Sequence, residues 1–174
     1  MEKDELNRYY KQHYRSLFLF ALSLTKNKED AEDLVANAFL KAILCFEEGN
    51  FKAWIYTVIR NEFLNLYQGR KRFVKSKVPE QEGKEAWEWA RTSEDILQEY
   101  IKQEEKRWLY HQIYQLPEKE RQIMILSSFH ELSDEETGKI MNLSVSNVRV
   151  IKHRVKKKLI ERYEKEEKRR KDYE

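Results

Sequence analysis

Between Ser144 and Ile160 the chain carries six Lys/Arg and no Asp or Glu, with Val148, Ile151, Val155 and Leu159 spaced by three, four and four residues. That spacing puts the four apolar side chains on one helical face and leaves the cations to cover the rest. Such a helix needs a packing partner on one side and suits a polyanion on the other. Immediately upstream, Ser133-Asp134-Glu135-Glu136 reads as a capping box opening a short helix to about Met141. Asn142 tolerates the left-handed conformation and closes that helix. Ser144 caps the next, a contact worth about 1 kcal/mol. Two helices across so tight a turn, the second one basic, describe a helix-turn-helix that can lay its second member in the major groove. The candidate DNA contacts are Ser144, Ser146, Asn147, Arg149, Lys152, His153, Arg154, Lys156 and Lys157.

The rest of the chain is helical in pattern too. Four glycines and two prolines in 174 residues disfavour a turn-rich β protein and predict an all-α fold. One helical face over residues 4–25 carries Leu6, Tyr9, Tyr10, Leu17, Phe18, Ala21 and Leu24. A second helix begins after Lys26-Asn27-Lys28, with Glu29 and Asp30 suited to its dipole and Ala31, Leu34, Val35, Ala38, Phe39 and Ala42 on its apolar face. Glu47 to Asn50 is a stop and a start, with Asn50 as cap. A third helix then carries Phe51, Trp54, Ile55, Val58, Ile59, Phe63 and Leu66 as far as Gly69. Residues 1–72 therefore form one small helical domain, and 73–92, where composition turns from basic to acidic, a linker. A second domain, 93–163, has a helix from Ser93 to Leu116, another from Glu118 to about Glu131 burying Ile123, Ile125 or Leu126, and Phe129, and then the helix-turn-helix. Residues 164–174 are a charged tail expected to fray.

Charge divides in the same way. The net is +3, yet residues 144–174 alone sum to +6, leaving −3 for the remainder. One end suits nucleic acid and the other protein. The longest apolar run, Leu17 to Leu22, is far short of the ~18 residues that cross a bilayer, and the amino terminus has no secretory pattern. No membrane insertion is expected. The lone Cys45 fits a reducing cytoplasm, and its neighbours Ile43, Leu44 and Phe46 mark it as core filler. His13, His111, His130 and His153 are scattered, with no metal spacing and no phosphate-binding glycine loop. No catalytic residue, metal or cofactor is expected.

At this point the residues match a known pattern. Leu116-Pro117-Glu118-Lys119-Glu120-Arg121, Glu131-Leu132-Ser133-Asp134-Glu135-Glu136 and Leu143-Ser144-Val145-Ser146-Asn147-Val148-Arg149, with His153-Arg154 and Lys157-Lys158-Leu159, resemble region 4 of the extracytoplasmic-function group of bacterial sigma factors. Asp30-Ala31-Glu32-Asp33-Leu34-Val35, Phe39-Leu40-Lys41-Ala42 and Phe51-Lys52-Ala53-Trp54-Ile55-Tyr56, with Arg60-Asn61, resemble region 2 of the same group. The resemblance implies a sigma factor that binds core RNA polymerase and directs promoter-specific initiation. A helix-turn-helix regulator that does not select promoters for polymerase is the alternative. By resemblance, Asp33, Leu34, Asn37, Phe39, Leu40 and Lys41 meet the polymerase. Asn50, Lys52, Arg60, Asn61, Arg70, Lys71 and Arg72 engage the minus-ten element, where a base is flipped out, and the basic helix reads the minus-35 duplex. An anti-sigma factor is a partner by family analogy alone. The chain departs from the pattern at Ala36 and Asn37, where Gln and an acid are usual, and at Thr137 and Gly138, where Ile and Ala are common. Gly138 is expected to loosen its helix by about 1 kcal/mol.

Overall fold

The computed structural model describes residues 3–73 and 101–172; the side chains of residues 3, 67–73, 104, 105, 170 and 172 lie outside that description. Among the described residues the regular structure is all helical: α1 Lys3–Thr25, α2 Lys28–Cys45, α3 Phe51–Phe73, α4 Glu104–Tyr114, α5 Glu118–Met124, α6 Asp134–Met141 and α7 Val145–Asp172. The chain divides into two compact units, Met1–His111 and Gln112–Glu174, so the division falls inside α4.

In the first unit α1, α2 and α3 pack on one another. From Leu17 to Leu24 every residue of α1 is buried, more than the single face expected, so this half of the helix is apolar nearly all round. The exception, Ser23, donates its hydroxyl to the Phe20 carbonyl at 2.6 Å and so satisfies its own polar group. The buried set of α2 is the expected one, Ala31, Leu34, Val35, Ala38, Phe39 and Ala42. Its start is sharper than the polar break suggested, because Asn27 Oδ1 accepts from the Asp30 amide at 3.0 Å. Asn50 caps α3 in the same way, accepting from the Ala53 amide at 3.1 Å, after Gly49 turns the chain at φ 111°. The helix does not stop at Gly69 but continues to Phe73. One glycine costs a helix only about 1 kcal/mol, and the residues after it are good helix formers.

Beyond α3 the predicted long helices are broken up. Of the stretch expected to be helical from Ser93, residues 93–100 lie outside the described part, Ile101 to Gln103 are not helical, and α4 begins at Glu104. The helix expected from Glu118 to Glu131 is α-helical only to Met124. Ile125–Phe129 then form a π turn, closed by the His130 amide on the Ile125 carbonyl at 3.1 Å. The wider turn lets adjacent Ile125 and Leu126 both enter the core, where the regular period offered one or the other. They join Ile113, Leu116, Ile123, Ile140, Val148, Val155 and Leu159, all buried. At the other end α7 runs unbroken to Asp172, against the expected frayed tail. Glu161, Glu164, Glu166 and Glu167 each precede a Lys or Arg by four residues, the favourable order for helical pairs.

Candidate functional site

The turn between α6 and α7 is built from local hydrogen bonds. Ser133 and Glu136 form the reciprocal capping box, with the Ser133 hydroxyl accepting from the Glu136 amide at 3.0 Å and the Glu136 carboxylate accepting from the Ser133 amide at 2.7 Å. Asn142 ends α6 at φ 55°, ψ 50°, in the left-handed region. Ser144 Oγ then accepts from the Asn147 amide at 3.2 Å and starts α7. The two helices approach so closely here that a Cβ on Gly138 would lie 2.8 Å from the Leu143 carbonyl oxygen. The glycine is therefore a condition of the turn's geometry rather than a simple weakness of α6. Thr137 is the poorer departure, since its hydroxyl is buried without a hydrogen-bond partner.

Val148, Val155 and Leu159 face the core, so the side of α7 pointing directly away from it is Ser146, Val150, His153 and Lys157, all exposed. Four of the cations beside this stripe lie against acids from other elements. Asp134 accepts from Lys152 Nζ at 2.6 Å and from Arg149 Nε at 3.1 Å, with Glu135 a further 3.7 Å from Arg149. On the opposite flank, nearly buried Glu120 accepts from Arg154 at 2.6 Å and lies 3.8 Å from Lys158. The hydrogen bond from Lys152, with that from Arg149, holds the Asp134 carboxyl below the ordinary carboxylate value of 3.8. Stability from a depressed carboxyl is present above the unfolded value and lost as pH falls through the folded one, so these pairs persist at neutral pH. Of the nine residues proposed from sequence, Ser144 is used as a cap, and Arg149, Lys152 and Arg154 are already paired. Ser146, Asn147, His153, Lys156 and Lys157 remain exposed. The acids were missed because α7 contains none of them; they come from α5 and α6.

In the first unit the exposed side of α2 carries Asp33, Ala36, Asn37, Leu40, Lys41, Ile43 and Leu44. Leu40, Ile43 and Leu44 are 57%, 64% and 80% exposed, an apolar group that none of the described residues covers. Two of the residues proposed for this surface lie elsewhere. Leu34 has no exposure, and Phe39 is buried edge-on against Tyr10 with ring centroids 4.8 Å apart. Both hold the helix in place rather than face outward. Cys45, expected in the core, is exposed with Ile43 and Leu44, off the face of α2 that buries Ala38 and Ala42. Lys41 pairs with Glu62 at 2.6 Å.

The α2–α3 loop closes over an aromatic cluster. Phe51 meets Tyr9 at 4.7 Å and Phe46 at 4.9 Å, Phe46 meets Trp54 at 5.2 Å, and Tyr9 meets His13 at 4.1 Å, all between ring centroids. Phe46, Phe51 and Trp54 are only half-buried. Burial pushes the Tyr9 hydroxyl up to about 12, so it is neutral. His13 is held below 6.5 by burial and then by the charge of Lys52. Asn50 and Asn61 are exposed and Lys52 and Arg60 half-buried, while the side chains of Arg70, Lys71 and Arg72 lie outside the described residues. Among the described residues there is no group of three side chains suited to a metal ion and no helix long and apolar enough to cross a membrane.

Residues 9–73 match the family model for Sigma-70 region 2, and residues 106–159 that for Sigma-70, region 4. The ECF RNA polymerase sigma factor EcfG of Rhodopseudomonas palustris is 30% identical over 150 residues, covering 83% of this chain and 77% of that protein. The chain belongs to the extracytoplasmic-function group of sigma-70 factors. The RNA polymerase sigma factor YlaC of Bacillus subtilis is 26% identical over 162 residues, covering 90% of this chain and 91% of YlaC. In fold it is similar to the sigma factor RpoE of Bartonella quintana, solved with the anti-sigma factor NepR, at a TM-score of 0.65 and 23% identity over 90% of this chain and 95% of that one. The sigma factor CnrH, solved with the cytosolic domain of CnrY, gives 0.60 and 18% identity over 94% and 90%. As a sigma factor the chain directs RNA polymerase to promoters, and the alternative of a regulator that does not select promoters is not favoured. Its two units divide so that the aromatic loop and the apolar α2 surface belong to one and the basic α7 to the other.

Proposed function

We propose a residue-level division of that work. The exposed stripe Asp33, Asn37, Leu40 and Lys41 of α2, extended by Ile43 and Leu44, is the contact with core RNA polymerase. Asn50, Lys52, Arg60 and Asn61, around the aromatic cluster, engage the minus-ten element together with Arg70, Lys71 and Arg72. An extruded base needs an aromatic or apolar surface to stack on and nearby cations for its strand. In the chain's second domain α7 enters the major groove of the minus-35 element with its stripe of Ser146, Val150, His153 and Lys157, while Asn147, Lys156 and the flanking cations meet phosphates. The domains so used are 1–72 and 93–163, with 73–92 joining them. The protein acts by binding, not by catalysis, inside the cell where polymerase works. An anti-sigma factor is proposed as a further partner, since RpoE and CnrH were each solved with another protein bound.

The observation that carries this reading is the outward stripe of α7, free of acids and presented beyond a turn stiffened by three separate caps. Co-purification with core polymerase followed by run-off transcription tests it. Forced expression maps the start sites that supply the template, and the purified chain is expected to bind core polymerase and restore initiation there. DNA binding with neither activity would overturn the assignment of α2.

A further inference from the structure

The second unit exposes few large apolar side chains, and Val150 is the one set within the first two turns of α7, at 60% exposure. It lies on the stripe opposite the core, with Ser146 one turn before it and His153 and Lys157 after it. Nothing in the unit's packing calls for valine there, and a β-branched residue on an open helix face loses rotamer freedom without gaining a contact. Around it the charges form two walls: Arg149 and Lys152 tied to Asp134 on one side, Arg154 and Lys158 beside Glu120 on the other. An apolar spot between cationic walls fits a polyanion that shows an apolar group at its centre. Duplex DNA does so in the major groove at one base only, where thymine carries its C5-methyl group. The other bases carry no methyl group at that edge, so a valine there meets only donors and acceptors it cannot pair.

We propose that Val150 is a specificity-determining residue of this sigma factor, receiving the C5-methyl group of a thymine in the minus-35 duplex. The proposal rests on the reading of α7 as the duplex-reading helix and adds what that helix reads. Val150 discriminates through a buried methyl contact, while the tethered cations set position along the backbone. Loss of one buried methyl group corresponds to about a fourfold change in affinity.

The test uses holoenzyme, assembled from core polymerase and the full chain, on a mapped promoter in which each minus-35 thymine is replaced in turn by deoxyuridine. This removes the methyl group and leaves base pairing intact. With the unaltered chain, one position is expected to lose about fourfold in promoter affinity. With Val150→Ala that position should be indifferent to deoxyuridine, and the unmodified promoter should be bound about fourfold more weakly. Because Val150 is exposed, the alanine variant keeps the core, and matching thermal unfolding verifies this. Promoter binding with no sensitive thymine, or sensitivity that persists in Val150→Ala, would overturn the proposal and leave the reading of α7 standing. Binding that ignores the whole minus-35 sequence would remove that reading and the proposal with it.

Discussion

Phe39 and Leu40 are adjacent on α2 and have opposite duties. Phe39 is buried against Tyr10, whereas Leu40 is 57% exposed. Phe39→Ala is expected to lower stability by about 3 kcal/mol or more through the cavity it leaves, with polymerase binding lost only as far as the unit unfolds. Leu40→Asp should leave the unfolding midpoint within about 0.5 kcal/mol of the parent, as surface changes usually do, yet weaken association with core polymerase. Chemical denaturation beside a pull-down separates the two. His13 offers a second probe. Its pKa lies below 6.5, first from burial and then from Lys52. For a base lowered in this way the unfolded chain binds more protons, so the stability it contributes is present above 6.5 and lost as pH falls through the lowered value. An NMR titration should find the His13 midpoint below 6.5, and Lys52→Met should move it upward. No movement would show that Lys52 is not felt there.

At the scale of elements, α7 is held by its neighbours' acids as well as by its apolar stripe. Surface ion pairs contribute little stability on their own, about 0–1 kcal/mol, so the function of Asp134 is better sought in DNA binding than in folding. Asp134 ties Lys152 and Arg149, the second also 3.7 Å from Glu135, and with α7 in the groove as proposed it sets a negative charge near the duplex. Asp134→Asn is therefore expected to strengthen binding to random duplex and steepen its salt dependence by about one to two units, while discrimination between promoter and random DNA falls. Fluorescence anisotropy over a salt series measures both. A variant with weaker binding at every salt concentration and unaltered discrimination would contradict this role. The capping box, Asn142 and Ser144 were legible in the sequence because each acts within three or four residues. The π turn was not, since its Ile125–Phe129 run has no local signature and its widening answers to the core it fills.

Over the whole molecule, charge and core are separately placed. The last eleven residues, 164–174, carry five acids and five bases, and none of those whose side chains are described is buried, though α7 extends through most of them. Truncation after Tyr163 is expected to shift thermal unfolding by no more than a surface change does, about 0.5 kcal/mol, and to leave promoter affinity and its salt slope unchanged. A drop in the salt slope would show that this extension meets DNA after all. The all-helical class, the helix-turn-helix and the membership in the sigma-70 family were within reach of the sequence, because helix periodicity, caps and motif order are written in neighbouring residues. What the tertiary structure alone decided is which side chains remain available: Leu34 and Phe39 withdrawn into the core, Ile43, Leu44 and Cys45 left outside, and Arg149, Lys152 and Arg154 bound to acids that lie 15 to 34 residues away. Exposure and charge pairing depend on what packs across from a residue, and that partner is set by the fold rather than by the residue's own neighbours in the chain.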